Sequence, residues 1–531
     1  MTNPLIQIRN LRIGFPSSGD VVHGLDLSIA RGESVALVGE SGSGKSVTAR
    51  SLIGLSGPRA EVRASEFTID GKPALGFSER DWRRVRGGKI GYVLQDALTS
   101  LDPLRRVGQL LGDAAGRRDP HAELTLLGSV GIPEPQTRLA QYPHELSGGL
   151  RQRTLIATAI ARSPELIIAD EPTTALDVTV QKQILDLLAA RRRAGTALLL
   201  ISHDLAVVSK LADRVLVMRD GVVVESGPTR EVLHRPSHAY TRQLLDAVPS
   251  DQSRGYRLAP QTSTSGQGRR VPLPRAVPSE TVVLEAKDLH KHYARAGVTA
   301  VHDVSFRLKA GEALGIVGES GSGKTTVARM VMGLVEPDRG EIRLQGQLFS
   351  NQPEALRRPL RAGVQLIAQD PLSSFDPRYT VEQIVGESLD TVGVTGPARA
   401  ERVREVLDAV QLPARFLSAR PRDLSGGQRQ RVAIARAFAP RPRLIVADEP
   451  VSALDVSIQA QVIDLLIELQ ASSGTALLFI SHDLGVVHHL TDRVIVMKNG
   501  RVVEEGDVTR VFAAPRADYT RDLIAAIPTL S

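Results

Sequence analysis

The stretch Gly39 to Ser46 reads GESGSGKS, and it returns almost unchanged as GESGSGKT from Gly318 to Thr325. Each copy follows an apolar run rich in β-branched residues, Val35 to Val38 and Leu314 to Val317, and precedes a segment of helical character. Strand, glycine loop and helix in that order are the context of a phosphate-binding loop. Gly39, Gly42 and Gly44, with Gly318, Gly321 and Gly323 in the second copy, let the loop curl so that backbone N–H groups point inward, those of Ser41 and Ser320 among them. The helix that follows adds partial positive charge, and Lys45 or Lys324 reaches the β and γ phosphates. The hydroxyl of Ser46 or Thr325 is placed to hold Mg²⁺.

The rest of the chain repeats with the loop. Lys45 recurs as Lys324, Ser147 as Ser425, Glu171 as Glu449 and His203 as His482, at an offset of 278 or 279 residues. A period that long marks a duplicated domain, since solenoid repeats run at about 20 to 50 residues. The 531 residues therefore divide into two domains. Formal net charge is +7 on scattered, arginine-rich positions. That reads as a solvated surface compatible with anionic membrane headgroups, and it does not point to nucleic acid. Cysteine is absent, which excludes disulfides, thiolate zinc sites and cysteine-held iron–sulfur clusters. The start, MTNPLIQIRN, has no basic-then-apolar leader, and no run approaches the ~18 apolar residues of a membrane span. The expectation is a cytosolic protein whose membrane role, if any, needs partner chains.

Leu5 to Ile13 and Val21 to Ile29 alternate apolar and polar residues, as half-buried strands do. Phe15 lies between them and Tyr293 occupies the matching place in the second half. An aromatic there either stacks on a base or belongs to the core. Strands Ile90 to Leu94 and Val364 to Ala368 end in Gln95-Asp96 and Gln369-Asp370, at the edge where open α/β sheets bind ligands, and a glutamine amide there can meet Mg²⁺. Helical segments run from about Leu98 to Arg162 and from Leu372 to Arg436. They contain Ser147-Gly148-Gly149-Leu150 and Ser425-Gly426-Gly427-Gln428, each opening a helix. Such a start is either an anion site or an N-cap serine with flexible glycines. LIIADE (Leu166 to Glu171) and LIVADE (Leu444 to Glu449) are apolar strands that end in two carboxylates, which alternation points in different directions. Ala-Leu-Asp follows (Asp177, Asp455), then a strand ending Ile-Ser-His-Asp (His203, His482), a hairpin turn at Asp220-Gly221 or Asn499-Gly500, and a helical tail with Tyr-Thr-Arg (Tyr240 to Arg242; Tyr519 to Arg521). Between the halves, 250–279 is rich in Ser, Gly, Pro and Arg and reads as a flexible linker.

Phosphate loop, strand-end Gln, LSGG, ADE, ALD and SHD, in this order and in both halves, resemble the ATP-binding subunits of ABC transporters. QDALTSLDP (Gln95 to Pro103), QDPLSSFDP (Gln369 to Pro377) and the Tyr-Thr-Arg tails look like the dipeptide, oligopeptide and nickel importer branch. There, two-in-one chains occur among glutathione- and microcin-type peptide importers. The resemblance implies an α/β fold of two tandem P-loop NTPase domains, 1–249 and 280–531, joined by the linker. Each would have a mixed β core, an α-helical subdomain and a C-terminal helical tail. It implies ATP and Mg²⁺ as cofactors. Lys45 with Ser46, and Lys324 with Thr325, would bind phosphates and Mg²⁺. Gln95, Gln369, Asp170 and Asp448 would support the metal, Glu171 and Glu449 would polarise the attacking water, and His203 and His482 would sense the γ-phosphate. Phe15 and Tyr293 become adenine platforms. The halves are expected to pair head to tail, each phosphate loop facing the other half's LSGG segment: Ser147, Gly148 and Gly149, or Ser425, Gly426, Gly427 and Gln428. Partners would be two permease subunits and an extracytoplasmic substrate-binding protein, with this chain peripheral on the cytoplasmic face of the membrane.

Two departures stand out. Some relatives hold an iron–sulfur cluster through cysteines in a tail extension, which this chain lacks, and Leu150 replaces the glutamine kept at Gln428. The alternative, a soluble tandem ATPase acting on ribosomes, is resembled less because such proteins join their halves by a long charged helix. DNA-repair members carry coiled-coil or zinc-bearing insertions that this sequence does not show. No residue of the chain is expected to touch the cargo, so dipeptide, oligopeptide, glutathione, nickel chelate and opine all stay open.

Overall fold

The computed structural model describes residues 4–16, 19–173, 176–250, 252–259, 271–294, 297–452 and 454–527. It divides into two compact units, one mainly of residues up to Leu245 and one mainly from Asp246 to Ile527.

In the first unit, Ile6–Phe15 pairs antiparallel with Gly19–Ile29 on one side and with Glu66–Ile69 and Glu61–Arg63 on the other. Both long strands alternate buried and exposed positions along much of their length, because one face covers the core and the other meets solvent. A second sheet has the order Val222–Pro228, Arg214–Arg219, Ser34–Val38, Ala197–Ile201, Leu166–Asp170, Ile90–Val93. Of its five pairings four are parallel, and the Arg214–Arg219 and Val222–Pro228 hairpin at one edge is antiparallel. The central strands are buried at every position, as parallel strands covered on both faces must be. Ser34–Val38 lies between Arg214–Arg219 and Ala197–Ile201, so the glycine loop leaves the sheet where successive connections diverge, the usual ligand crevice of an open α/β sheet. Helices Val107–Ala115, Pro120–Ser129, Pro135–Leu139 and Gly148–Ile160 form a helical segment inserted between Ile90–Val93 and Leu166–Asp170.

The second unit repeats this plan with Val364–Ile367, Leu444–Asp448, Ala476–Ile480, Ala313–Val317, Arg493–Lys498 and Arg501–Asp507 in its mixed sheet. Helices Val381–Asp390, Gly396–Ala409 and Gly426–Phe438 are its inserted segment, packed through Ile384, Val385, Val403, Leu407 and Ile434. The hairpins turn where expected: Asp220 and Gly221 have φ of 48° and 78°, Asn499 and Gly500 of 49° and 77°. Such left-handed pairs match the strand twist of a two-residue turn. The tails are helices Thr229–His234 with Ala239–Asp246, and Val508–Ala513 with Asp518–Ala525.

Residues 250–279 read as a flexible linker, and their described part packs on the second unit. Arg257 N donates to Val271 O at 2.8 Å and Leu273 N to Gly255 O at 2.9 Å, so 252–259 and 271–279 form a narrow ribbon. Leu258 and Leu273 are buried, and Asp464 on helix Val456–Ser473 accepts from Leu258 N at 3.0 Å and Ala259 N at 2.9 Å. Arg254 donates to His488 O and Thr491 O, both at 2.6 Å, and Arg275 to His489 O at 2.8 Å, satisfying carbonyls at the C-terminus of helix Leu484–Leu490. Two apolar anchors and two arginines aimed at backbone oxygens carry no periodic pattern, which is why this ribbon is not visible in the sequence. Residues 251 and 260–270 of that stretch lie outside the described residues, as do Ala175 and Ala453 of the Ala-Leu-Asp motifs.

Candidate nucleotide sites

The glycines of the loop are required by the backbone. Gly39 has φ 144°, and a Cβ there would lie 2.1 Å from Met218 O; Gly318 has φ 149°, with Met497 O at 2.2 Å. No other residue fits that approach. Gly44 and Gly323 are left-handed at φ 96° and 102° and lead directly into helices Lys45–Ser51 and Lys324–Val331. The lysines begin those helices and curl back over the loop. Lys45 Nζ donates to Gly39 O at 2.8 Å and Glu40 O at 2.6 Å, and Lys324 Nζ to Gly318 O and Glu319 O, both at 2.8 Å. Burial pushes the Lys324 ammonium below its ordinary pKa, against the pull of Glu449. A buried cation at the start of a helix attracts an anion.

Asp170 ends its strand fully buried. Ser46 Oγ donates to its Oδ1 at 2.9 Å and Tyr92 OH to its Oδ2 at 2.8 Å. Burial still raises its pKa, and the two hydroxyls offset part of that rise. In the second unit burial also raises Asp448, where Leu366 stands in the register that Tyr92 occupies in the first.

The next residue turns the chain. Glu171 and Glu449 have φ of 48° and 49°, left-handed for a non-glycine residue, and their N–H groups donate to Ile201 O and Ile480 O at 2.9 Å. Strain of this kind persists where the surroundings hold it. The turn sends the glutamate away from the aspartate and toward two other predicted residues. Gln95 Nε2 donates to Glu171 Oε2 at 2.9 Å, with His203 Nδ1 3.3 Å from Oε1. The second unit repeats this with Gln369 at 3.0 Å and His482 at 3.2 Å from Glu449. Burial pushes Glu449 up, but the His482 hydrogen bond and the charges of His482 and Lys324 outweigh it and hold the carboxyl below its usual range. Burial pushes His482 down, and the Glu449 bond and charge bring it above its ordinary value. A carboxylate kept ionised beside a histidine is suited to accept a proton from water.

Phe15 and Tyr293 are the half-buried last residues of strands Ile6–Phe15 and Val282–Tyr293. Lys291 Nζ lies 5.9 Å from the Tyr293 ring centre. Ser147 and Ser425 are the N-caps of helices Gly148–Ile160 and Gly426–Phe438. Gln428 completes a capping box, its N donating to Ser425 Oγ at 3.3 Å and its Oε1 accepting from Ser425 N at 2.9 Å. Leu150 keeps only the first bond, at 3.4 Å, because it has no acceptor to return. Sequence reasoning missed Tyr92, whose signal was a lone phenol in a buried strand, and the partners of the tail tyrosines.

The ABC transporter family model matches residues 22–174 and 301–452. The chain belongs to the ABC transporter ATP-binding family. Its tails match a second model, the oligopeptide/dipeptide transporter C-terminal region, at 224–267 and 503–531. The peptidoglycan transport ATP-binding protein YejF of Agrobacterium fabrum is 42% identical, over 99% of this chain and 96% of its own length. The oligopeptide transport ATP-binding protein OppD of Mycobacterium tuberculosis is 40% identical over 99% and 98%. The glutathione import ATP-binding protein GsiA of Escherichia coli is 41% identical over 99% and 89%. As a member of this family the chain is an ATPase, with ATP as its nucleotide. No helix among the described residues is long and apolar enough to cross a membrane.

Proposed function

We propose that this chain is the ATP-hydrolysing subunit of an importer for peptides or related small solutes. One observation carries the reading: in each half the loop lysine, paired carboxylates, glutamine and histidine occur on a cassette whose tail matches the C-terminal region of oligopeptide/dipeptide transporters. The names of the relatives, all ATP-binding proteins of transport or import, support it. The work would be done through two separate permease subunits supplied by an extracytoplasmic binding protein, with the chain on the cytoplasmic face of the membrane. Domains 1–249 and 280–531, with 250–279 between them, supply one set of groups each.

In this reading Lys45 and Lys324 bind phosphates, Phe15 and Tyr293 stack on adenine, and Glu171 and Glu449 take the proton of the attacking water while His203 and His482 steady them. Hard oxygen donors at Ser46, Asp170 and Gln95, and at Thr325, Asp448 and Gln369, suit Mg²⁺, which when bound neutralises phosphate charge. Ser46 Oγ donates to Asp170 Oδ1 at 2.9 Å, which sets these two oxygens side by side.

ATP turnover measured with and without reconstituted permease subunits tests the proposal. Slow turnover by the isolated chain and stimulation by the permease support it; equal, fast turnover in both, or stimulation by ribosomes instead, overturns it. The head-to-tail pairing implied by the resemblance predicts that Ser425→Arg stops nucleotide trapping at the Lys45 site. Loss at the Lys324 site alone refutes that pairing.

A further inference from the structure

The Tyr-Thr-Arg tails have no part in the reaction described above, yet each sends its tyrosine into a phosphate loop. Glu40 N donates to Tyr240 OH at 3.1 Å, and Glu319 N donates to Tyr519 OH at 3.1 Å. Each contact lies within its own unit, and it recurs in both at the same two positions. The peptide plane involved is the first of the loop. Its carbonyl, Gly39 O or Gly318 O, accepts from the loop lysine at 2.8 Å, while its N–H is held by the tyrosine. One plane is thus gripped at both ends, by the phosphate-binding ammonium and by a hydroxyl of the tail.

That plane needs a grip. Gly39 and Gly318, at φ 144° and 149°, have no side chain to resist rotation, and a flip would carry the carbonyl away from the loop lysine and point an N–H at its ammonium. When the ammonium is drawn off to a phosphate, it can no longer hold the carbonyl, and the tyrosine bond remains.

The tyrosines are themselves fixed. Tyr240 is buried, with Arg219 Cζ 5.0 Å from its ring centre; Lys498 Nζ lies 4.4 Å from that of Tyr519. Burial raises the Tyr519 phenol to about 12, so it stays neutral. One carboxylate anchors the turn into each tail helix. Glu225 accepts from Ser237 N and Oγ at 2.7 Å, from His238 N at 3.1 Å and from Thr241 Oγ1. Glu504 accepts from Arg516 N at 2.8 Å and Ala517 N at 3.1 Å. Burial pushes both carboxyls up, but these bonds outweigh it and hold Glu225 at about 2 and Glu504 below its ordinary value, so both are ionised.

We propose that Tyr240 and Tyr519 are positioning residues for the two ATP sites, fixing the first peptide plane of each phosphate loop from the C-terminal tail. The inference rests on the reading of these loops as nucleotide sites. It makes the tail part of each ATP site of this chain, so that displacement of the tail by a partner loosens the loop and a bound nucleotide tightens the tail.

The test uses the purified full-length chain with Tyr240→Phe and Tyr519→Phe, which delete one hydroxyl and keep the ring. Photolabelling with 8-azido-ATP and peptide mapping reads each site separately; steady-state kinetics reads KM against kcat, and thermal unfolding without nucleotide reads the fold. Loss of one neutral hydrogen bond predicts about a 2- to 12-fold weaker half-saturation at the variant's own site. The rise in KM should exceed the change in kcat, and Tyr240→Leu should be no milder than Tyr240→Phe. Wild-type affinity in both Phe variants overturns the proposal, as does a loss shared equally by both sites that only follows a fall in melting temperature. Lys45→Ala and Lys324→Ala are run beside them. If those leave their own sites labelled, the nucleotide-site reading has failed; if they abolish labelling while the Phe variants behave as wild type, only the tail inference has.

Discussion

Asp464→Asn measures what holds the ribbon of residues 252–259 and 271–279 to the second unit. Asp464 is 2% exposed, accepts two backbone N–H groups, and is pushed from 3.8 up to about 6 by burial, with Glu468 adding to the rise and the bonds from Leu258 and Ala259 and the charge of Arg257 opposing it. A carboxyl whose pKa is raised on docking gains a proton as the ribbon docks. Its contribution is complete below 3.8 and is lost as the pH climbs through about 6. The full difference corresponds to about 3 kcal/mol, of which a move from pH 7.5 to pH 5 recovers a little under half, or about tenfold in the opening constant. His489 works the other way. Burial and then the charges of Arg275 and Arg254 hold it down to about 4, so its contribution is complete above 6.5 and lost as the pH falls toward 4. Asparagine does not titrate, and His489 is common to both proteins, so it cancels in the comparison. Hydrogen exchange of the peptide spanning 253–259 is the assay, since opening of the ribbon releases the Leu258 and Ala259 amides. The ratio of protection, wild type over Asp464→Asn, should rise about tenfold between pH 7.5 and pH 5. A ratio constant within about twofold, or one that falls on acidification, refutes the argument.

Two further outcomes are expected. Tyr92→Phe removes a hydroxyl from buried Asp170, a bond to a charged group worth about 1.5–3 kcal/mol; it should raise the Asp170 pKa further and weaken Mg²⁺-dependent labelling at the Lys45 site, most at low pH, while the Lys324 site, with Leu366 in that register, is unchanged. Gly149→Ala places a Cβ 2.8 Å from Val180 Cγ1 and should lower stability by about 1–3 kcal/mol by thermal unfolding, whereas Gly148→Ala meets nothing nearer than Leu176 Cδ2 at 4.0 Å and should be near neutral.

What the sequence determined by itself was whatever local chemistry dictates. GESGSGK can only be a loop between strand and helix, because its glycines take up conformations and close approaches closed to other residues, and LIIADE can only be a buried strand ending in charge. Two copies at an offset that stays at 278 or 279 residues made the duplication certain without any structure. The gathering of Gln95, Glu171 and His203 was expected only through resemblance, and the left-handed turn at Glu171 that brings them together has no sequence signal, since glutamate is no left-handed former. Tertiary structure alone decided the rest. The Asp170–Tyr92 bond joins residues on neighbouring strands 78 positions apart, Tyr240 meets Glu40 across 200, and Asp464 meets Leu258 across 206. A hydrogen bond between distant residues leaves no periodicity in the chain, because it depends on which elements the sheet order sets side by side.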